Sequence, residues 1–328
     1  MTFSRRDFLQ AGLASALPLS FAEHATAQGM DLARIVFGFP VGGSTDAVCR
    51  RVADKLQPGY ARAVMVESRV GGGGQVVVQS MKTAPPDGST ILMTPMSILG
   101  VYPHTYKRLA YDPLTDLVPV SRAVSFNHGI AVGPAVPESV KTVPQFMDWC
   151  RENPSKASFG SAATGSVLHF AGILLGRAVG VELTHVGYRG SSALLIDTAG
   201  GNLPACMLPV GDLLAYQSAG RIRVIGTSGG KRSRFMPNVP TFTEAGYKDM
   251  VFDEWYGFYL PARTPQEIVQ KLNTALTLAL KAQDVTDSLA IFGLESSPSS
   301  PSELDALLRS DTERWRRLVK TIGFTSET

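Results

Sequence analysis

Short apolar runs and helix-period segments alternate along nearly the whole chain, and this alternation restricts the fold more than any other feature. Ile35-Val-Phe37 leads into a small-residue loop and then a helical stretch. There Val48, Val52 and Leu56 recur at i, i+4 and i+8, until Pro58-Gly59 stops the run. Ala63–Glu67 reads as a strand, Gln75–Thr83 as a helix, Pro85-Pro-Asp-Gly88 as a turn and Thr90–Thr94 as another strand. Helices that alternate with strands cover the faces of a sheet, so the expected class is α/β with largely parallel strands. Capping boxes sign several helix starts: Thr142 with Gln145, Thr241 with Glu244, Thr264 with Glu267, and Ser300 with Glu303. The third of these helices turns Ile268, Leu272, Leu276 and Leu280 inward, and the last turns Leu304, Leu308, Trp315 and Leu318 inward.

Two loops repeat one design. In Phe39-Pro-Val-Gly-Gly-Ser-Thr-Asp46 a strand ends, a bare glycine pair follows, and a helix begins. The first amides of a helix have no intrahelical partner and carry partial positive charge, so such a loop can seat an anion on backbone N–H groups. Ser161-Ala-Ala-Thr-Gly-Ser166 stands in the same place between the strand at Ala157–Gly160 and a helix carrying Leu168, Ala171 and Leu175. Two such loops on separate domains would form the two jaws of a cleft that closes on a small ligand.

The N-terminus reads as an export signal. Ser4-Arg-Arg-Asp-Phe-Leu-Gln10 fits the twin-arginine pattern, a mildly apolar stretch from Ala11 to Ala22 follows, and Ala25-Thr-Ala27 is an A-x-A cleavage site. Residues 1–27 are therefore set aside as a signal peptide. The apolar stretch falls short of the ~20 residues of a bilayer span, and no later window reaches that length. The expected location is the bacterial periplasm. The net charge of +3 is small and dispersed, which argues against nucleic acid, and Lys231-Arg-Ser-Arg234 reads as a solvated loop. Cys49, Cys150 and Cys206 make an odd number, so at least one thiol is unpaired, and a Cys150–Cys206 bridge stays open. No CxxC, HExxH or Walker A sequence occurs, and neither a metal nor a cofactor is expected.

The ordered set of motifs resembles the substrate-binding receptors of tripartite tricarboxylate transporters, the Bug-type receptors. Phe39–Asp46, Pro86-Asp-Gly-Ser-Thr90, Tyr111-Asp-Pro113, Phe159–His169, Val186-Gly-Tyr-Arg-Gly190, Pro237–Gly246 and the stretch from Trp255 to Pro265 carry the resemblance, over about residues 33–325. It implies a two-domain periplasmic-binding-protein fold of the Venus-flytrap kind with a cleft between domains. Residues 28–127 with 252–328 would form domain 1 and residues 128–251 domain 2. It also implies a small carboxylate ligand, held largely by backbone amides, and membrane transporter subunits as partners. The chain departs from the family pattern at Ser68-Arg-Val70 and at Asn202-Leu-Pro204, the second on a strand expected near the cleft.

The candidate ligand-binding residues are Phe39, Gly42, Gly43, Ser44, Thr45, Asp46, Thr164, Gly165, Ser166, His169 and Tyr188. For several of them a structural role competes. Phe39 walls the pocket or belongs to the core. Asp46 orders a bridging water or stabilises the helix start. His169 faces the cleft, where its protonation would tune affinity, or is an internal histidine. Tyr188 offers a hydroxyl to the ligand or packs as a strand aromatic. Two other functions compete with the receptor: presentation of the same ligand to a membrane sensor kinase, and a serine hydrolase using Ser228 or Ser166. Gly226-Thr-Ser-Gly-Gly230 fits G-x-S-x-G, but a nucleophile elbow needs a helix directly after the serine and Lys231–Pro237 reads as loop.

Overall fold

A computed structural model describes residues 30–248 and 250–324. The twin-arginine segment and its cleavage site lie outside the described residues. The order is β1 (Met30–Phe37), α1 (Ser44–Leu56), β2 (Ala61–Ser68), α2 (Gln75–Ser80), β3 (Thr90–Pro95), α3 (Tyr102–Thr105), β4 (Leu117–Val132), α4 (Val143–Glu152), β5 (Ser158–Ser161), α5 (Val167–Arg177), β6 (Thr184–Gly187) and α6 (Ser191–Ala199). Then follow β7 (Ala205–Pro209), α7 (Val210–Ser218), β8 (Arg223–Thr227), β9 (Asp253–Pro261), α8 (Gln266–Lys281), α9 (Gln283–Ala290), β10 (Glu295–Ser296) and α10 (Pro301–Ile322).

The strands run β2-β1-β3-β9-β4-β7-β5-β6, with β8 and β10 also paired to β4. Strands β1, β2 and β3 are mutually parallel, as are β5, β6 and β7, each set joined by covering helices. The two long connecting strands break the parallel pattern: β9 is antiparallel to β3 and β4, and β4 is antiparallel to β7 and β8. The sheet is therefore mixed where a largely parallel one was expected, because β4 and β9 link two parallel halves and belong to neither crossover series.

Strand β4 carries the transition. Its first part, through Asn127, pairs with β9, and from His128 onward it pairs with β7 and β8. The chain returns at Phe252, whose amide donates to Ser228 O, and enters β9 at Asp253. Two lobes result, one built on β1, β2, β3 and β9 and one on β5, β6, β7 and β8. One apolar cluster fills the outer face of the first lobe, where Val48, Val52 and Leu56 of α1 meet Leu272 and Leu276 of α8. A second cluster is continuous between lobes, joining Leu92 and Tyr102 to Phe159 and Phe170 through Trp315 of α10.

Three of the four capping boxes form. Thr142 with Gln145 and Ser300 with Glu303 open α4 and α10, and Thr241 with Glu244 closes a turn that does not propagate into a helix. At the fourth, the Thr264 hydroxyl donates to Pro261 O at 2.7 Å, so Pro265 takes the N-cap position of α8 without a side-chain cap. All three cysteines are free and buried. Cys49, Cys150 and Cys206 sit in three different apolar clusters, which leaves no Cys150–Cys206 bridge. Among the described residues no helix is long and apolar enough to cross a membrane, and no cluster suited to a metal ion occurs.

Candidate functional site

Between the lobes lies a cavity of about 270 Å³. Its first wall is the β1–α1 loop. The chain leaves β1 against the glycine run that precedes α2: a Cβ on Gly38 would lie 2.7 Å from Gly74 Cα. Gly42 has φ +90, which an L side chain adopts only under strain. Gly43 is the N-cap of α1 and provides no side-chain acceptor for the first turn. Among the described residues no protein group accepts from the amides of Gly43, Ser44 or Thr45. These residues, with Phe39, Pro40 and Val41, line the cavity. Asp46 and Gly42 do not. Asp46 takes Arg50 Nε on both oxygens at 2.9 and 3.0 Å, and its Oδ2 accepts from Gly42 N at 3.0 Å. The carboxylate braces the loop from behind, and both residues line a separate outer groove with Arg51 and Phe292.

The loop before α5 behaves differently. Ala162, Ala163 and Ser166 line the cavity, but Thr164 and Gly165 do not. Their carbonyls accept from the other lobe, Thr164 O from Tyr106 Oη at 3.2 Å and Gly165 O from Thr105 Oγ1 at 3.5 Å. The amides around this helix start are largely used: Val167 N donates to Ser97 Oγ, Gly165 N to His169 Nδ1, and His169 N to Ser166 Oγ. This loop therefore latches the lobes together and leaves few amides for an anion.

The open helix start on the second lobe is that of α6. Gly190, Ser191, Ser192 and Ala193 line the cavity, and α6 has no side-chain cap. It faces the first loop closely: a Cβ on Gly190 would stand 3.6 Å from Pro40 Cγ. Gly190-Ser191-Ser192 shows the same glycine-then-serine signal as Gly43-Ser44, so the sequence did carry it. Arg189, exposed, completes that rim.

The floor of the cavity is the seam between lobes. Tyr256 Oη lies 2.9 Å from Ser44 Oγ, and burial, followed by the charge of Asp212, pushes its phenol well up, so it stays protonated. Glu254 Oε1 accepts from Ser97 N at 3.0 Å. His128 Nε2 stands 3.0 Å from Glu254 Oε2, within ion-pair distance but off the line of a hydrogen bond, and neither ring nitrogen has an aligned partner. Asp212, at the start of α7, accepts from Ser191 Oγ at 2.5 Å. No motif announces His128, Asp212, Glu254 and Tyr256; β4, pairing with β9 and with β7 that leads into α7, brings them together.

His169 and Tyr188 do not line the cavity. The His169 ring is buried, stacked on His185 at 3.8 Å between centroids, with Phe170 and Phe324 around it. Accepting from Gly165 N at Nδ1 places its proton on Nε2. Burial lowers its pKa to about 4, and burial with the neighbouring His169 lowers that of His185 to about 3. Tyr188 donates to Asp197 Oδ2 at 2.7 Å within its own lobe. Asn202 and Leu203 also miss the cavity: Asn202 bonds Asp197 and Leu203 is core.

The serines suggested for hydrolysis are occupied. Ser228 is wholly buried, donates to Phe252 O, accepts from His128 N at 2.9 Å, and is followed by no helix. Ser166 donates to Ala163 O at 2.7 Å.

The profile of the family described as "Tripartite tricarboxylate transporter family receptor" matches residues 48–324. A "UPF0065 protein in tcbD-tcbE intergenic region" of Pseudomonas sp. (strain P51) is 34% identical over 285 residues, which is 87% of this chain and 84% of that protein. R. palustris Rpa4515, solved with adipate, superposes with a TM-score of 0.85 at 28% identity, covering 90% of this chain and 99% of that one. The periplasmic binding protein BugD superposes with a TM-score of 0.83 at 26% identity over 90% of this chain and 99% of its own. The fold is that of the periplasmic solute-binding proteins, and the chain belongs to the tripartite tricarboxylate transporter receptor family.

Proposed function

We propose that this chain is a periplasmic receptor that traps a small carboxylate between its lobes and delivers it to the membrane subunits of a tripartite tricarboxylate transporter. The observation that carries this reading is the pair of uncapped helix starts, α1 and α6, that meet across one cavity. Unpaired amides at a helix N-terminus favour an anion, and they need no chemistry from the ligand beyond its charge. The walls formed by Phe39, Pro95, Ile98, Phe126 and Leu168 suit an apolar body behind that carboxylate. That R. palustris Rpa4515 was solved with adipate supports the ligand class. Export through the N-terminal signal agrees with both.

Residues 28–127 with 252–328 act as one domain and 128–251 as the other, hinged where β4 changes partners at Asn127/His128 and where the chain returns at Phe252/Asp253. Of the two loops expected as jaws, the first keeps its place, and α6 takes over the anion contact of the second. Calorimetric titration of the purified mature protein with a panel of mono-, di- and aromatic carboxylates tests the reading. Saturable binding of at least one member is expected, and none across the panel would refute it.

A further inference from the structure

We infer that the preferred ligand carries, beside its carboxylate, a protonated amine that docks on Asp212. The inference rests on the receptor reading above and narrows its ligand class.

Asp212 is half-buried and lines the cavity. Only the Ser191 hydroxyl donates to it among the described residues, and no Lys or Arg pairs with it. The amides of the α6 start do not cap it. Burial raises its pKa, which is the signature of a carboxylate lacking a full set of partners.

A second acid stands on the same floor. Glu254 is buried, and its neighbour His128 is wholly buried with both ring nitrogens lacking an aligned partner. His128 faces Glu254 from β4 and acts on Asp212 of α7, so one imidazole serves two carboxylates. Two carboxylates thus share one imidazole, and no second basic side chain reaches the floor among the described residues. Among the described residues Arg189 is the one cationic side chain that lines the cavity, and it is exposed at its rim.

A ligand bearing only carboxylate and hydrocarbon would place its own charge in the same enclosure and leave Asp212 bare. Buried charge is tolerated when it is paired and hydrogen-bonded. An ammonium on the ligand supplies a counter-charge and three donors. The carboxylate then rests on the amides at Gly43–Thr45, where Ser44 and Tyr256 connect the two ends of the floor. Selectivity follows, because a site built around such a pair is left with unpaired polar groups when the amine is missing.

The test compares matched ligands on the purified mature protein by calorimetry: glutarate, glutamate and 2-hydroxyglutarate in one set, and benzoate, 4-(aminomethyl)benzoate and 4-hydroxybenzoate in another. The expected result is that the amine-bearing member of at least one set binds about tenfold or more tighter than its unsubstituted parent, as a charge-assisted hydrogen bond allows. Asp212→Asn should abolish that preference, bringing the amine-bearing member and its parent to equal affinity. Ser191→Ala, which removes the hydroxyl that orients the carboxylate, should reduce the preference in the same direction and guards against misfolding of the first variant. Equal or tighter binding of the parent in every set, tighter binding of the hydroxyl member than of the amine, or a preference that survives in both variants would overturn the inference while leaving a carboxylate receptor intact. Absence of binding by every member would overturn the receptor reading, and this inference with it.

Discussion

Gly42 sits at φ +90 with open space where a Cβ would go, so Gly42→Ala meets backbone strain and no clash. That strain is worth about 1–2 kcal/mol for an L residue. It falls on the turn that aims the Gly43 and Ser44 amides, so carboxylate affinity should drop about tenfold for a loss of that size. Titration of the variant checks this, and unchanged affinity would show that the loop does not aim those amides. The buried imidazoles give a second residue-level expectation. Both have folded pKa values below the ordinary ~6.5, about 4 for His169 and about 3 for His185, with burial as the main cause. The unfolded chain therefore takes up protons first as pH falls. Stability is fully present above pH ~6.5 and is lost on the way down to about 4, by something on the order of 3 kcal/mol from His169 alone. Imidazole resonances followed by NMR should stay neutral down to pH ~5; a His169 ring titrating near 6.5 would refute the assignment. These cases also show what local sequence reveals of a site. The turn at the glycine pair before Ser44 was legible because its geometry is set by its own backbone. The imidazole of His169 was not, because its environment comes from His185 and Phe324.

Helix starts were the most legible elements, since a capping box is closed by residues three apart. Ser300 Oγ accepts from Glu303 N at 3.2 Å, and the Glu303 carboxylate accepts from Ser300 N at 2.8 Å, a bond that with the Ser300 hydroxyl lowers its pKa. Ser300→Ala should cost about 1 kcal/mol of stability, read as a lower urea midpoint with unchanged slope. Thr264 shows the limit of that signal: Pro261 O offered its hydroxyl a better partner than the α8 amides did. Strand direction was less legible, because β4 and β9 have the same apolar texture as their parallel neighbours and only long-range pairing sets their sense. Contact between α7 and the turn after α9 was not legible at all. A Cβ on Gly211 would stand 1.4 Å from Phe292 O, a backbone atom that cannot step aside alone. Gly211→Ala should therefore displace α7 from that turn and cost at least 1–3 kcal/mol, the range for overfilled sites. A melting temperature equal to that of the parent would show that the two lobes do not make this contact in solution.

At the scale of the whole molecule, the lobes meet on both sides of the seam. Tyr106 and Thr105 reach Thr164 and Gly165 at one edge, Ser97 receives Val167 N beside the cavity, and Pro40 faces Gly190 across its mouth. Among the described residues the chain crosses between the lobes at β4 and at the return at Phe252, and on the proposed reading rotation there would open the cavity when these contacts break. These contacts hold the lobes together, and on the proposed reading a ligand would add to them by touching helix starts from both lobes at once. Binding at a hundred times Kd should then raise stability by ~2.7 kcal/mol. The strength of the latch sets how much of the unliganded protein is already closed, and apparent affinity scales with that fraction. Tyr106→Phe removes the hydroxyl that donates to Thr164 O and keeps the ring against Tyr102. One exposed hydrogen bond of this kind is worth about 0.5–1.5 kcal/mol, so the closed-to-open ratio should fall a few-fold. Small-angle scattering should show a larger radius of gyration for the unliganded variant, with the liganded form unchanged, and Kd should rise by at most the same few-fold. An unchanged radius together with unchanged Kd would place the energy of closure elsewhere, in the seam that β4 and β9 share.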